Sequence, residues 1–442
     1  MLRPGTFFGG GIVLAALLSA ACAQPEKPSP TAGLPPAPWV SRAIPEGKGE
    51  VKTLPDGKKT QVRYRGAPFA GVPQDWSEYR TYAYDDARPA PPVSKIPMPA
   101  VTGDPARGRR LFLSRAQGPC TGCHLIPGDD VWPAGNIGPD LSTYGDRNLP
   151  DEFIFTQLYD SRNFFPHTTM PPWGTTGVFK PEELVHIVAF LKTLKGPVPP
   201  EKDPDRNPDT RAKPVGFGDN LDPTNNPAVG LAEGAMSLWE KKGPAGKACA
   251  DCHAGGPEKA MKGVATRYPK YVKAYQRVMS LEDFLTVHGP ETAGQQMLSQ
   301  SADNLSMTML VKMQSNGMPV GVDVTSREAK SAFERGRVSF FKKVGQRNHA
   351  CADCHVKGAG QGAEKFLGGR LLGNAEAGLT RHFPTWRTNF QVVWDMRRRM
   401  QWCMTPLGMN MLPADSVEYA ELELFLTSFD NGKEMSVPGI RH

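Results

Sequence analysis

The chain has 442 residues, 39% of them hydrophobic, which suits roughly two to four domains of ordinary soluble composition. Its formal net charge is +7, but lysine and arginine are dispersed along the sequence, which argues against a nucleic-acid-binding protein. The 43 prolines and 46 glycines indicate that loops and linkers form much of the backbone.

The N-terminus has the features of an export signal. Arg3 precedes a short uncharged apolar stretch, and small residues follow it. This pattern predicts a signal peptide over residues 1–23, cleaved after Ala21 or Ala23 and directing the protein to an oxidising compartment. The alternatives are a retained membrane anchor, for which the apolar stretch is short, and a lipid anchor on Cys22. We expect no membrane span in the mature protein.

Two proline-rich segments are predicted to lie outside the folded domains. Residues 24–102 should form an extended arm, and the aromatic residues around Tyr64 and from Trp76 to Tyr82 should pack on a neighbouring part of the protein. Residues 197–222 combine prolines and mixed charges without a hydrophobic period, so they are predicted to be a linker.

The first folded domain contains a motif for covalent haem attachment. Cys120, Cys123 and His124 stand in the order Cys-Thr-Gly-Cys-His, in which the thiols bind the haem vinyl groups and the imidazole binds iron. A helical pattern begins near Gly108, and a helix with Pro181 in its first turn closes the domain. Residues 103–196 are therefore predicted to form a small monohaem cytochrome c domain.

The iron of this domain needs a sixth ligand, and Met170 is the predicted one. It follows His124 by 46 residues and precedes two prolines, which hold the chain extended so that a thioether can face the iron. His167 is the alternative ligand. His186 lies among apolar residues of the closing helix and is predicted to be a packing or surface residue.

The rest of the sequence contains one haem motif twice. The motif Cys249-Ala-Asp-Cys252-His253 recurs 102 residues later as Cys351-Ala-Asp-Cys354-His355. Pro384 follows Pro269 by 115 residues, so the second copy has 13 additional residues after its motif. The repeat predicts two packed copies of one haem fold, residues 223–322 and residues 323–442.

The repeat also predicts the remaining iron ligands. At the offset of 115 residues, Cys403 corresponds to His288, and both residue types bind iron strongly. Met318 is the alternative to His288. Met409 or Met411 is the alternative to Cys403, which would then be a buried inert thiol. Once Cys22 and the haem thiols are set aside, Cys403 is the only remaining cysteine, and an unpaired thiol in an exported protein is oxidised unless it is ligated or used. We therefore expect Cys403 to be both iron ligand and reaction centre.

Three arginines, Arg397 to Arg399, come shortly before Cys403. A helix through this region is suggested by the apolar residues Phe390, Val393, Trp394 and Met400. Arg399 would then share a helix face with Cys403, where a guanidinium can hold an oxyanion such as thiosulfate. Arg399 and Arg398 are the predicted thiosulfate-orienting residues, and all three arginines could also pair with haem propionates.

These motifs resemble the SoxX and SoxA subunits of the thiosulfate-oxidising SoxAX cytochromes, joined in the order X then A. The SoxX-like part extends from about Asp104 to Gly196 and the SoxA-like part from about Pro227 to Arg441. Besides the haem motifs, the resemblance rests on Gly138-Pro139, Met170-Pro171-Pro172, Met318-Pro319, Phe383-Pro384-Thr385-Trp386-Arg387 and the segment Arg399 to Cys403. The implied fold class is mainly α. It comprises three cytochrome c-type haem domains, one SoxX-like and two in a SoxA-like tandem repeat, after a long proline-rich N-terminal arm.

The resemblance implies three covalently bound haem c groups with their iron, and periplasmic L-cysteine S-thiosulfotransferase activity. In that family thiosulfate is joined oxidatively to a cysteine of a SoxYZ carrier protein, and electrons pass through haem to a small c-type cytochrome. The family position that matches Cys403 is the active-site cysteine, an iron ligand often found as a persulfide. The position that matches His288 is usually cysteine, so this chain departs from the family there. Two other functions stay open: a thiosulfate dehydrogenase forming tetrathionate, and a non-catalytic trihaem electron-transfer cytochrome.

Overall fold

The computed structural model describes residues 51–53, 59–61, 96–128, 133–166, 168–196, 226–356, 365–409 and 411–441, together with residues 89, 92 and 131. The predicted signal peptide, the linker and the aromatic segments of the arm lie outside these residues. Within the arm, strands β1 (Val51–Thr53) and β2 (Lys59–Gln61) pair in antiparallel fashion. No helix in the described ranges is long and apolar enough to span a membrane.

The first cytochrome domain is built on three helices, α1 (Pro105–Leu113), α2 (Asp151–Asp160) and α3 (Pro181–Leu191). The side chain of Asp104 accepts hydrogen bonds from two backbone amides of the first turn of α1, so the free N–H groups at this helix end are satisfied. Helix α3 begins at the proline that the sequence predicted.

Helices α1 and α3 cross at close range through a glycine. A Cβ on Gly108 would lie 1.9 Å from the carbonyl oxygen of His186, so only glycine permits this approach. His186 itself is buried, and its Nδ1 accepts a hydrogen bond of 3.0 Å from the backbone N–H of Asp104. It is a packing residue that ties the start of α1 to α3.

The two copies of the repeat follow. The first copy consists of α4 (Pro227–Gly234), α5 (Met236–Glu240), α6 (Cys249–Cys252), α7 (Gly256–Ala260), β3 (Lys270–Val272), β4 (Arg277–Met279), α8 (Leu281–Ala293) and α9 (Ala302–Met313). The second consists of α10 (Arg327–Phe341), α11 (Cys351–His355), β5 (Lys365–Leu367), β6 (Arg370–Leu372), β7 (Thr385–Arg387), β8 (Val392–Trp394), α12 (Met396–Met404), α13 (Val417–Ser428) and β9 (Gly439–Arg441). Elements β3, β4, α8 and α9 recur as β7, β8, α12 and α13, each beginning 115 residues later. The offset read from the sequence therefore applies to whole elements.

Reciprocal hydrogen bonds relate the two copies by an approximate two-fold axis. The backbone N–H of Gly317 donates to the carbonyl of Met435 at 2.9 Å, and that of Gly432 donates to Val320 at 2.8 Å. Each of these bonds becomes the other when the copies are exchanged. A single hydrophobic core contains residues of both copies, including Trp239 and Leu424. The copies are therefore one packed unit with an internal symmetry.

The start of α12 differs from the sequence-based prediction. A helix was expected to include Phe390, Val393 and Trp394, but residues Val392–Trp394 form strand β8, which pairs with β7. Two adjacent valines and an aromatic residue favour a strand. The side chain of Asp395 then accepts a hydrogen bond from the backbone N–H of Arg398 at 2.6 Å and so caps a helix that begins only at Met396.

Candidate functional site

The first and third haem motifs line one continuous cavity of about 2210 Å³. On the wall of the first motif, Nδ1 of His124 lies 2.8 Å from the carbonyl oxygen of Pro139. This nitrogen donates its hydrogen to the carbonyl, which leaves Nε2 free to bind a metal. A Cβ on Gly138 would lie 2.3 Å from the imidazole, so the glycine makes room for the ring. Burial lowers the pKa of His124 and favours the neutral, metal-binding form.

Met170 lines the same cavity. Its backbone N–H donates to Oγ1 of Thr168 at 3.0 Å, and its carbonyl accepts a hydrogen bond from Oγ of Ser161 at 3.4 Å. These bonds hold the loop before the two prolines in a defined position. His167, the alternative ligand, lies outside the described residues, so the ligand role of Met170 stays a prediction.

The middle site brings together the two histidines that the repeat predicted. The imidazole centroids of His253 and His288 lie 6.1 Å apart. This separation leaves room for one metal ion between the two rings, bound to one nitrogen of each at about 2 Å. Trp239 packs beside His253 at 5.7 Å, and Phe284 stacks on His288 at 4.9 Å. The alternative ligand, Met318, lies against Gly263.

The third site surrounds Cys403. Nδ1 of His355 lies 2.7 Å from the carbonyl oxygen of Gly373, so its other nitrogen is free to face the cavity. The thiol of Cys403 is hydrogen-bonded to His355, and its sulfur lies 2.6 Å from Nη1 of Arg399. Burial acts to raise the pKa of Cys403, but these hydrogen bonds and the charges of Arg399 and His355 outweigh it and lower the pKa to about 7. Cys403 therefore ionises to a thiolate more readily than an ordinary cysteine.

The other predicted residues near Cys403 have different surroundings. Arg398 is exposed and lines the cavity. Met409 and Met411 are buried in the cavity wall, and the sulfur of Met411 accepts a hydrogen bond from Thr405.

The position of Arg397 contradicts the prediction that all three arginines are available to anions. It is 1% exposed, it donates to both carboxylate oxygens of Asp283, and its Nε lies 3.0 Å from Glu423. A guanidinium that is already paired with two carboxylates in the core holds α12 against α8 and α13, and it is not a substrate-binding group.

Comparison with known proteins identifies cytochrome c domains in two parts of the chain. Residues 234–320 match the family model of the SoxA/TsdA cytochrome c domain, and residues 103–191 match that of cytochrome c oxidase, cbb3-type, subunit III. The L-cysteine S-thiosulfotransferase subunit SoxA of Allochromatium vinosum is 30% identical over 211 residues, which are 46% of this chain and 70% of that protein. This chain belongs to the SoxAX family of cytochromes.

Two other proteins of this family have a similar sequence identity to this chain. The L-cysteine S-thiosulfotransferase subunit SoxA of Pseudaminobacter salicylatoxidans is 29% identical over 218 residues, which are 49% of this chain and 73% of that protein. The crystal structure of SoxXA from P. pantotrophus has a TM-score of 0.44 and 27% identity, and the alignment covers 50% of this chain and 80% of that one.

Membership of the SoxAX family and the two matched cytochrome c domains imply covalently bound haem c. The donor sets fit this group, because each motif offers two thiols and a histidine. The cavity joining the first and third motifs also contains Met170 and Cys403, one thioether and one thiol that can act as further ligands.

Sequence reasoning assigned no site role to two further arginines of this cavity, Arg370 and Arg387, although Arg387 stands in a segment that carries the family resemblance. The guanidinium carbon of Arg370 lies 4.3 Å from the ring centroid of Trp402, and that of Arg387 lies 5.3 Å from Trp394. Burial lowers the pKa of both, and the positive charge of Arg399 lowers it further, whereas Cys403 raises it. Neither residue has a local spacing relative to Cys403 that could have signalled this proximity.

Lys343 joins the third haem motif to the loop of the first domain that contains Met170. Its Nζ pairs with Asp353, inside the third motif, at 2.9 Å and donates to the carbonyl of Thr168, two residues before Met170, at 2.8 Å. One ammonium group therefore contacts both the third haem motif and the Met170 loop. This contact places the predicted Met170 and Cys403 sites next to each other.

Proposed function

We propose that this chain is an L-cysteine S-thiosulfotransferase that joins thiosulfate oxidatively to a cysteine of a SoxYZ-type carrier protein in the periplasm. The proposal rests mainly on the surroundings of Cys403. Its thiol lies between His355 and the guanidinium of Arg399, in a cavity lined by further arginines. The relatives named L-cysteine S-thiosulfotransferase subunit SoxA support the same reaction.

The reaction forms one S–S bond and releases two electrons. The carrier thiol loses its proton, its sulfur bonds to the terminal sulfur of thiosulfate, and the product is a cysteine S-thiosulfonate. Bound haem would accept the electrons one at a time and pass them to a small c-type cytochrome, the oxidant of the reaction. The proton leaves to solvent.

Residues of the chain supply binding and electrostatics for this step. Thiosulfate is a dianion that must approach a thiolate-like sulfur, so repulsion between the two is the main obstacle. Arg399 is positioned to neutralise it, because its guanidinium already contacts the sulfur of Cys403 and can also donate to a sulfonate oxygen. The exposed Arg398 would attract the anion to the cavity.

We further propose three haem c groups, one per motif, with the ligand pairs His124 with Met170, His253 with His288 and His355 with Cys403. The cysteines that would hold them covalently are Cys120, Cys123, Cys249, Cys252, Cys351 and Cys354. Intact mass of the exported protein should show three haems. A count of two would remove one of the proposed domains.

The decisive variant is Cys403→Met, because methionine can still bind iron but cannot act as a thiolate or carry an extra sulfur. Conjugation of thiosulfate to the carrier, measured by the mass of the carrier, should vanish while the haem count is unchanged. His288→Met is the matched control at the equivalent position of the first copy, and it should keep conjugation. A normal rate in Cys403→Met would contradict the proposal, and tetrathionate formation without carrier would favour a thiosulfate dehydrogenase.

A further inference from the structure

A β-hairpin of the second copy contacts the first cytochrome domain. It consists of β5 and β6 joined by Gly368 and Gly369, and it lies in the segment where the second copy has its 13 additional residues. The backbone N–H of Gly368 donates to the carbonyl of Gly122, inside the first haem motif, at 2.8 Å. The hairpin tip therefore reaches the haem-binding segment of another domain.

Asn136 of the first domain makes two hydrogen bonds to the backbone of Phe366 in β5. Its side-chain Oδ1 accepts a hydrogen bond from the backbone N–H of Phe366 at 2.8 Å, and its backbone N–H donates to the carbonyl of Phe366 at 3.2 Å. The Phe366 side chain is 1% exposed. These contacts fix both the position and the register of the strand.

Two glycines show how close the fit is. A Cβ on Gly135 would lie 2.5 Å from the carbonyl oxygen of Phe366, and a Cβ on Gly369 would lie 2.5 Å from Cγ of Pro133. Real Cβ atoms do not come so close to other heavy atoms, so the two surfaces match only because these positions have no side chain. The first domain therefore determines where the hairpin lies.

The residue that follows the hairpin tip is Arg370, which extends into the Cys403 site. Its guanidinium carbon lies 4.3 Å from the centroid of Trp402, and that of Arg399 lies 5.2 Å from the same ring. Arg370 is half-buried, and its pKa is lowered by burial and by Arg399 but raised by Cys403. Two guanidinium groups on one indole repel each other, and a bound dianion would relieve this repulsion.

We propose that Arg370 is a second binding residue for the thiosulfate dianion, and that the first cytochrome domain places it in the site through the β5–β6 hairpin. The inference rests on the proposed function, because it concerns the anion that reacts at Cys403. It assigns the first domain a role in substrate binding besides electron transfer. Asn136 is then a positioning residue, since it acts on the anion only through Arg370.

The equivalent positions of the first copy carry different residues. Phe284 and Val287 stand at the positions of Arg399 and Trp402, so neither the guanidinium nor the indole is present there. The two-arginine site is therefore specific to the copy that contains Cys403.

The test is the equilibrium binding of thiosulfate to the oxidised holoprotein, measured by titration calorimetry without carrier so that no turnover occurs. Arg370→Gln should raise the dissociation constant by about tenfold or more, since a charge-assisted contact is lost, and Arg370→Lys should recover part of the affinity. Arg327→Gln removes an exposed arginine of the same domain and should leave the affinity unchanged.

The positioning role is tested with the same measurement. Asn136→Ala and, separately, Gly369→Val should each weaken thiosulfate binding with the haem count unchanged. The double variant Asn136→Ala/Arg370→Gln should bind thiosulfate no more weakly than Arg370→Gln, because both changes remove the same contact between Arg370 and the anion. Additive losses would contradict positioning through Arg370.

The outcomes separate this inference from the proposed function. If Arg370→Gln binds thiosulfate normally while Arg399→Gln binds it weakly, the inference is wrong and the proposed function stands. A shifted haem potential with normal thiosulfate affinity would assign Arg370 to a haem propionate and also overturn the inference. If the unmodified holoprotein neither binds nor conjugates thiosulfate, both fail.

Discussion

Phe284 and Arg399 occupy equivalent positions on α8 and α12, and each contacts the residue four positions after it. Phe284 stacks on His288 with ring centroids 4.9 Å apart, whereas Arg399 places Nη1 2.6 Å from the sulfur of Cys403. The repeated fold therefore has an apolar ring beside the predicted ligand His288 in the first copy and a cation beside the predicted ligand Cys403 in the second. This difference suits the second copy for reaction with an anion.

Arg399→Gln should lower kcat/KM for thiosulfate conjugation by about 10-fold to 100-fold, because a charge-assisted contact to the dianion is lost. The measurement is the initial rate of carrier conjugation at several thiosulfate concentrations. Phe284→Leu changes the equivalent residue of the first copy and should leave the rate unchanged. Equal losses in both variants would point to a shared structural effect.

Met170→His should lower the highest haem potential of the protein. A histidine–methionine ligand pair raises the potential of haem, and replacing the thioether by imidazole removes that effect. Redox titration followed by optical spectroscopy measures the change. Met98→Leu, which changes another methionine packed against the core of the first domain, serves as control. An unaltered high-potential component in Met170→His would show that another residue binds this iron.

His288→Ala should convert the middle haem from a low-spin to a high-spin spectrum, because one of two facing imidazoles is removed. Conjugation at Cys403 should continue. Electron paramagnetic resonance of the oxidised protein distinguishes the two spin states. If the spectrum stays low-spin in His288→Ala but changes in Met318→Leu, Met318 is the ligand and the assignment of His288 is wrong.

Arg397→Gln should destabilise the fold by about 3 to 5 kcal/mol, because it leaves the buried carboxylates of Asp283 and Glu423 without their cation. Arg398→Gln changes the adjacent but exposed arginine, and it should alter the free energy of unfolding by no more than about 0.5 kcal/mol. Urea unfolding of both holoproteins provides the comparison. Similar losses in the two variants would contradict the distinction between them.

Asp395→Asn should become more stable relative to the unmodified protein as pH rises from 4 to 7. Burial raises the pKa of Asp395 to about 6 from its ordinary 3.8, so the folded state holds the proton more tightly and loses stability as pH rises through this interval. Asparagine caps a helix equally well but does not titrate. The difference in unfolding free energy between the two proteins should grow by about 1 to 3 kcal/mol, as followed by urea unfolding at each pH. A constant difference would mean that Asp395 has an ordinary pKa.

The sequence by itself determined the features that depend on local spacing. Each haem motif spans only five residues, and the offset between copies could be counted along the chain. Arg399 and Cys403 lie four residues apart, so any helix through both brings them together, and the contact held although α12 begins later than expected. The pairing of His288 with His253 was accessible because the repeat shows which residues are equivalent.

Only the tertiary structure decided which arginines can meet an anion. Arg397 is adjacent in sequence to Arg398, yet it is buried against Asp283, which lies more than a hundred residues earlier. Arg370 reaches Trp402 because its hairpin is held by Asn136, a residue of another domain 230 positions from Phe366. Such contacts depend on how distant segments pack. Packing follows from the complementary shapes of whole surfaces, which no local spacing of residues encodes.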